Sequence, residues 1–197
     1  EALQGEHGFE LSYTWTKTVL QSRGLVRAAP KRSAHRKKRV RRPLPGMLVF
    51  QDGSTHRWIP ALDRKLDLIV TLDDATGTIY SAILVAEEGT MSSFLGLSET
   101  IARHGLFGAL YTDRGGHYFH TPKGGSKVDK SQPTQVGRAL AQLGITHIPS
   151  YSPEARGRIE RVFGTLQNRL RPELRVAGIK TIAAANRYLR ERFVPDY

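Results

Sequence analysis

The sequence predicts an α/β fold in which helices cover the faces of a mixed five-stranded sheet. The first observation is the order of the predicted elements, which from residue 46 is β-β-β-α-β-α-β-α. The second is the turn sequence Asp-Asp-Ala-Thr-Gly at 73–77, which joins two apolar runs and indicates an antiparallel hairpin. The third is that each later strand follows a helix, as in parallel crossover connections. Together they predict a three-stranded meander extended by parallel strands.

Residues 1–26 are predicted to form two short helices joined by a glycine-containing turn. Ser12 is a suitable N-cap for the second helix, which we expect to end at Gly24. This arrangement is typical of the later part of a helix-turn-helix, with 12–23 as the candidate recognition helix. An ordinary amphipathic helical hairpin explains the same residues equally well.

Residues 27–45 are predicted to be a basic linker. Prolines bracket eight cationic residues with no acid among them, and the chain there is expected to be extended or disordered when free. Beside a helix-turn-helix we favour contact with DNA phosphates over a solvated tail. The eight cations are Lys31, Arg32, Arg36, Lys37, Lys38, Arg39, Arg41 and Arg42.

Residues 46–197 are predicted to form the α/β domain. The predicted strands cover 47–51, 66–72, 78–86, 109–112 and 145–149, and the predicted helices cover 91–104, 134–143, 154–175 and 181–193. The polar stretch 117–132 lacks apolar periodicity and is predicted to be a loop. Trp15 and Trp58 are expected to be packing residues, and the last helix is expected to pack on the core.

Composition narrows the class of protein. A chain of 197 residues can hold one domain of good size and a small additional segment. The formal net charge of +12 indicates a polyanionic partner, and removing the eight linker charges still leaves +4. The lack of cysteine excludes disulfides and thiolate zinc sites, and no apolar run or signal peptide indicates a membrane. Because the sequence starts at Glu1 and not at a Met, we expect it to be a fragment of a longer protein.

Three acidic residues are candidates for a metal site. Asp52 and Asp113 follow the first and fourth predicted strands, which we expect to be neighbours in the sheet. Glu160 lies on the next long helix, one step from the apolar face, and is positioned to lean toward the strand ends. Three converging carboxylates repel one another unless a divalent cation binds. Two Mg²⁺ ions about 3.5–4 Å apart would suit an in-line phosphoryl displacement.

Three segments carry a family resemblance. QDGSTHRW at 51–58, YTDRGGHYF at 111–119 and SPEARGRIER at 152–161 resemble, in this order, the three acidic motifs of DDE transposases and retroviral-type integrase cores. Each motif alone is weakly specific, whereas the ordered set from about Met47 to Leu170 is strongly so. The helix-turn-helix and basic linker are similar to those of bacterial insertion-sequence transposases.

The resemblance implies an RNase H-like catalytic core at 46–197, truncated at its C-terminal end. Carried over by position, the catalytic and metal-binding triad is Asp52, Asp113 and Glu160, with two Mg²⁺ or Mn²⁺ ions. The implied activity is that of a polynucleotidyl transferase that cuts transposon ends and joins them to target DNA. The implied partners are double-stranded DNA and further copies of the chain, in the bacterial cytoplasm at the nucleoid.

Two features depart from the family pattern. Arg114 follows the second Asp, where many integrases have Asn. Asp113 and Glu160 are 47 residues apart, more than the family's most familiar spacing, and the excess is assigned to the loop around Gly124 and Gly125.

Other acids and histidines compete for these roles. Asp73 and Asp74 are paired carboxylates, but their turn sequence predicts that they cap the hairpin. Glu154 lies in a first helical turn, where the helix dipole favours an acid. His56, His117 and His120 lack the paired spacing of zinc ligands, which argues against a zinc site. His56 or His117 is a candidate for proton transfer or for holding a phosphate.

The arginines around Glu160 are candidate DNA contacts. Arg156, Arg158 and Arg161 line its helix, and beside a site for a polyanion we favour DNA contact over a solvated face. Two alternatives remain open at this stage. One is an RNase H-like nuclease that only hydrolyses, and the other is a DNA-binding transposase remnant without catalysis.

Overall fold

The computed structural model describes residues 8, 10–27, 40–122, 127–129, 131–151 and 153–197, with the side chains of 153–156 excluded. The chain divides into two compact units, Glu1–Lys37 and Lys38–Tyr197. Across the described residues, no helix combines the length and the apolar character that a membrane crossing requires.

The first unit contains helix α1, Tyr13–Ser22. Its predicted N-cap is confirmed, because the Ser12 hydroxyl accepts a hydrogen bond from the Trp15 backbone N–H at 3.2 Å. Gly24, at φ 70°, follows the helix end. The expectation that Trp15 is a packing residue is wrong, since it is 53% exposed. Residues 1–7 lie outside the described part of the chain, so the helix-turn-helix stays a prediction.

The second unit contains the predicted mixed sheet, in the order β3-β2-β1-β4-β5. Strands β1, β2 and β3 pair antiparallel, whereas β4 pairs in parallel with both β1 and β5. The elements are β1 Val49–His56, β2 Leu66–Asp73, β3 Ile79–Val85, α2 Thr90–His104, β4 Ala109–Thr112, α3 Gln135–Gln142, β5 Thr146–Pro149, α4 Pro153–Val176, α5 Ile182–Tyr188 and a π-helical turn, Leu189–Phe193.

Strand β1 is longer than the sequence indicated. The expectation that Asp52 ends the strand is wrong, because β1 pairs with β2 over eight residues, from Val49 opposite Asp73 to His56 opposite Leu66. The ladder with β2 keeps the backbone extended through Gly53, which lies opposite Ile69. Asp52 therefore lies within a strand that is held on both sides.

The two faces of the sheet carry separate apolar cores. Phe50 packs with residues of α4, whose predicted apolar face is confirmed: Ile159, Phe163, Leu166 and Leu170 are all buried. Val49, one residue earlier, belongs to the other core with residues of α2 and α3. This alternation follows from the pleat, which sends successive side chains to opposite faces. Trp58 is fully buried, as expected.

Asp73 caps the hairpin turn between β2 and β3, as predicted, whereas Asp74 ties the turn to residues distant in the chain. Asp73 accepts hydrogen bonds from the backbone N–H and the hydroxyl of Thr76, both at 2.8 Å, and from the Gly46 N–H at 2.9 Å. Asp74 accepts from the Arg42 N–H at 2.8 Å. Both carboxylates are fully buried, and their oxygens are bonded to backbone groups that hold the turn in place. They are therefore not free to form a catalytic pair.

The last helix packs on the core, as predicted, and also covers the edge of the sheet. Asn186 of α5 accepts a hydrogen bond from the Leu84 N–H at 2.7 Å and donates to the Leu84 carbonyl at 2.9 Å. An open strand edge invites pairing with another chain. The side-chain amide of Asn186 bonds to both backbone groups of Leu84, so these groups of β3 are not available for pairing with another strand.

Candidate active site

Asp52 lies in β1, and Asp113 lies directly after the end of the neighbouring strand β4. The parallel register of β1 and β4 sets Phe50 opposite Tyr111, and the two aspartates are the residues two positions further on. The pleat sends the side chain of Asp52 to the face covered by α4, where Phe50 also lies. Asp52 is 9% exposed. The structure thus brings together two of the three predicted acids.

Each aspartate is oriented by the backbone of a glycine that follows it. Asp113 Oδ1 accepts a hydrogen bond from the Gly115 N–H at 2.9 Å, and Asp52 Oδ1 accepts from the Gly53 N–H at 3.2 Å. Two carboxylates are hard oxygen donors of the type that Mg²⁺ prefers, so the residues at this position fit a divalent cation.

A buried polar network supports β1 from the opposite face of the sheet. Gln51 is 1% exposed, and its amide donates to the Thr71 hydroxyl and the Ser93 carbonyl, both at 3.2 Å. The Tyr118 hydroxyl donates to Gln51 Oε1 at 2.9 Å. Burial, followed by the charges of Glu88, Asp113 and Asp52, raises the pKa of Tyr118 well above its usual range. The hydroxyl therefore stays a donor, and three carboxylates lie around it.

Glu160 lies apart from the two aspartates on an exposed position of α4, next to the buried Ile159. Within the described residues, no three acidic or histidine side chains are grouped closely enough to hold a metal ion. The structure therefore places Glu160 on the helix that covers the face of Asp52 and Asp113, but not in a preformed cluster with them.

Two contacts define the direction of α4. Near its start, Arg158 forms an ion pair with Asp74. Asp74 follows Asp73, which pairs with Val49 at the beginning of β1. Near its end, Arg171 lies close to His56, the last residue of β1. Burial, and then the charges of Arg171 and Lys65, lower the pKa of His56. The helix therefore runs along β1, and the candidate assisting residue His56 lies four residues beyond Asp52.

Glu88 is an acidic residue of this site that the sequence analysis missed. It lies between β3 and α2, with its carboxylate against the Cα of Gly53 and 3.5 Å from Nε2 of His117. His117, the second candidate assisting residue, lies next to Gly115. No local motif marks Glu88, because only the folded sheet brings it to Gly53.

Several of the described arginines line a basic cleft beside the hairpin turn. It has a volume of about 210 Å³ and contains Arg41, Arg158 and Arg161 in its lining, with the hydroxyl groups of Thr76 and Thr165. The Arg41 guanidinium donates to the Ala75 carbonyl at 2.8 Å. Lys31, Arg32, Arg36, Lys37, Lys38 and Arg39 lie outside the described residues, as do the side chains of Glu154 and Arg156.

Arg114, which departs from the family pattern, packs over the ring of Tyr151 at 5.0 Å. This contact joins the segment after Asp113 to the segment that precedes α4. The guanidinium is attracted to the face of the aromatic ring. Arg114 is therefore in a position to influence how the two acidic motifs lie relative to each other.

Comparison with curated proteins identifies transposases as relatives. Over all 197 residues the chain is 34% identical to the transposase y4bF of Sinorhizobium fredii, of which it spans 42%. Over 151 residues, 77% of the chain, it is 33% identical to the transposase for insertion sequence IS1202 of Streptococcus pneumoniae, of which it spans 32%. The chain thus spans less than half the length of these relatives. No family model matches it.

Comparison with solved structures identifies the fold. The HTLV-2 integrase catalytic core domain, in complex with magnesium, has a TM-score of 0.53 and 18% identity over 73% of this chain and 83% of its own. The catalytic core domain of BIV integrase has a TM-score of 0.52 and 20% identity over 75% of this chain and 85% of its own. In sequence the chain is therefore similar to parts of these two transposases, and it has the RNase H-like fold of the integrase catalytic core.

Proposed function

We propose that this chain is the catalytic-core segment of a DDE transposase that cuts transposon ends and joins them to target DNA. The observation that carries the proposal is the placement of Asp52 in β1 and of Asp113 directly after β4, each two residues beyond the paired Phe50 and Tyr111 of an RNase H-like sheet. The motifs around them occur in a chain whose relatives are named transposases.

Glu160 is the proposed third acid, and the course of α4 supports this assignment. Arg158 and Glu160 are two residues apart, about 200° around a helix, so they leave α4 on opposite flanks. Arg158 is turned toward Asp74 at the hairpin. The Glu160 flank therefore faces away from the hairpin. Because α4 runs along β1, which carries Asp52, we propose that the exposed Glu160 side chain joins the two aspartates when the metal ions and DNA bind.

Asp52, Asp113 and Glu160 would together hold two Mg²⁺ or Mn²⁺ ions. When bound, such ions would activate the attacking oxygen and stabilise the leaving oxygen of a phosphoryl transfer. In the first step water attacks the phosphorus at the element end and a 3′-oxygen leaves. In the second, that 3′-hydroxyl attacks a phosphodiester of the target. Each step forms one P–O bond and breaks one, so no covalent protein intermediate is needed.

The basic surface would hold the DNA backbone. Arg41, Arg158 and Arg161 in the cleft, with Arg42 and Arg156 and the six cations of 31–39, supply positive charge for phosphate contacts. Arg158 is already paired with the buried Asp74, so Arg161 is the better candidate for a direct contact. Because transposition pairs two ends, we propose that several copies assemble on DNA, in the bacterial cytoplasm.

The test is a pair of substitutions assayed on the whole protein with element-end DNA. Asp113→Asn should abolish Mg²⁺-dependent cutting and the joining of pre-nicked ends while DNA binding is retained. Asp63→Asn, at an exposed loop position, is the matched control and should leave all three unchanged. Cutting by Asp113→Asn at the wild-type rate would remove the triad. Wild-type cutting without joining would indicate a nuclease, and binding without cutting would indicate a DNA-binding remnant.

A further inference from the structure

We propose that Glu88 and His117 form a positioning pair that holds Asp52 and Asp113 at their separation, acting from the face of the sheet opposite α4. This inference rests on the proposed function. It assigns a role to Glu88, and it makes His117 a residue that acts through the aspartates rather than on the DNA.

Glu88 is fixed against the strand that carries Asp52. Its backbone N–H donates to Asp67 Oδ2 at 2.7 Å, which anchors the loop after β3 to the start of β2. Its carboxylate lies so close to the Gly53 Cα that any side chain at position 53 would overlap it. Gly53 is the next residue after Asp52, and the pleat turns it to the opposite face. The Glu88 carboxylate therefore supports the backbone of β1 directly behind Asp52.

His117 is fixed against the segment that carries Asp113. A Cβ atom at Gly115 would lie 3.0 Å from Cε1 and 3.3 Å from Nδ1 of the imidazole, which shows how closely the ring packs on this glycine. The Gly115 N–H in turn donates to Asp113 Oδ1. The other side of the ring lies against Tyr118, with 4.0 Å between ring centroids. The imidazole is thus held between Gly115 and a buried tyrosine.

The contact between the two side chains closes a bridge across the sheet. Nε2 of His117 is buried and lies 3.5 Å from Glu88 Oε1, and it has no hydrogen-bond partner among the described residues. Glu88 touches the residue after Asp52, and His117 touches the residue that binds Asp113. The bridge therefore links the segments that carry the two aspartates, on the face of the sheet opposite α4.

A positioning role and a purely electrostatic role predict different results. If Glu88 acted only through its negative charge, Glu88→Asp would retain cation affinity, and His117→Gln would leave it unchanged or increase it. If the pair acts by position, both substitutions weaken the site. Groups that orient metal ligands typically contribute about 10–100-fold in affinity. Because the two residues work through one contact, the double variant should be no weaker than the more affected single variant.

The experiment is calorimetric titration of the full chain with Mn²⁺, with thermal unfolding recorded for every variant. Glu88→Asp and His117→Gln should each weaken Mn²⁺ binding by at least about 10-fold. The matched controls Glu87→Gln and His120→Gln, at exposed positions, should bind like the wild type. If Asp113→Asn abolishes binding while Glu88→Asp and His117→Gln bind normally, the pair is overturned and the proposed function stands. If the wild type does not bind Mn²⁺, both are overturned.

Glu88→Gln provides a second measurement if the other variants unfold easily, because it keeps the size of the side chain. The positioning role predicts that its double-mutant cycle with His117→Gln is strongly non-additive in Mn²⁺ affinity. If the two fold-changes in Mn²⁺ affinity simply multiply in the double variant, to within about twofold, the pair is overturned.

Discussion

Replacing Tyr118 by Phe tests the buried network behind the aspartates. The change removes the hydroxyl that donates to Gln51 Oε1 at 2.9 Å, while the ring that packs against His117 is kept. Both Tyr118 and Gln51 are 1% exposed, so bulk water does not replace the lost donor. An acceptor left unsatisfied in such a position costs about 1–3 kcal/mol.

That cost converts to a lower melting temperature. For a domain of roughly 150–250 residues, each kcal/mol corresponds to about 2–4 °C, so Tyr118→Phe should lower Tm by roughly 2–12 °C. In urea, the midpoint should fall with an unchanged m-value, because the surface exposed on unfolding is the same. Tyr151→Phe is the control, because its side chain is 54% exposed, and it should change stability by less than about 0.5 kcal/mol. Equal stability of the two variants would refute the reasoning.

Three further predictions concern pH, packing and DNA affinity. Burial lowers the pKa of His147 to about 4, so the folded protein binds this proton less readily than the unfolded chain, whose histidine pKa is about 6.5. Stability should therefore fall by roughly 2–3 kcal/mol as pH drops from about 6.5 through 4, and His147→Gln should remove this part of the dependence in urea unfolding. Leu166→Ala, at a fully buried position of α4, should cost about 2–5 kcal/mol, whereas Val176→Ala, at 74% exposure, should cost less than about 0.5 in the same assay. Arg161→Gln should reduce the magnitude of the slope of log DNA affinity against log salt concentration by about 0.9. The control Arg103→Gln, which removes a cation paired with Glu99 on α2, should leave this slope unchanged. Equal slopes for the two variants would argue against a phosphate contact at Arg161.

Local patterns were sufficient to predict most elements of the second unit. Strand β4 was predicted at its observed bounds, and α4 was predicted within one residue at either end. The capping role of Asp73 was also predicted, because the bonds to Thr76 are made within three residues of it. These features depend on side-chain periodicity and turn chemistry, which neighbouring residues carry.

The end of β1 was not predictable from its own residues. Gly53 weakens a strand in isolation, and only pairing with β2 carries the extended backbone on to His56. Glu88 was missed for a related reason: nothing near it in the chain indicates a site, and its contact with Gly53 depends on the fold of β3 beside β2.

By itself the sequence determined the order of strands and helices, the mixed sheet and the candidate acids, because these follow from local periodicity and from the ordered motifs. Only the tertiary structure decided which groups meet. The β1–β4 register sets Asp52 beside Asp113, and the packing of α4 sets the flank on which Glu160 lies. The physical reason is that such contacts join residues far apart in the chain, and their geometry depends on how whole elements pack.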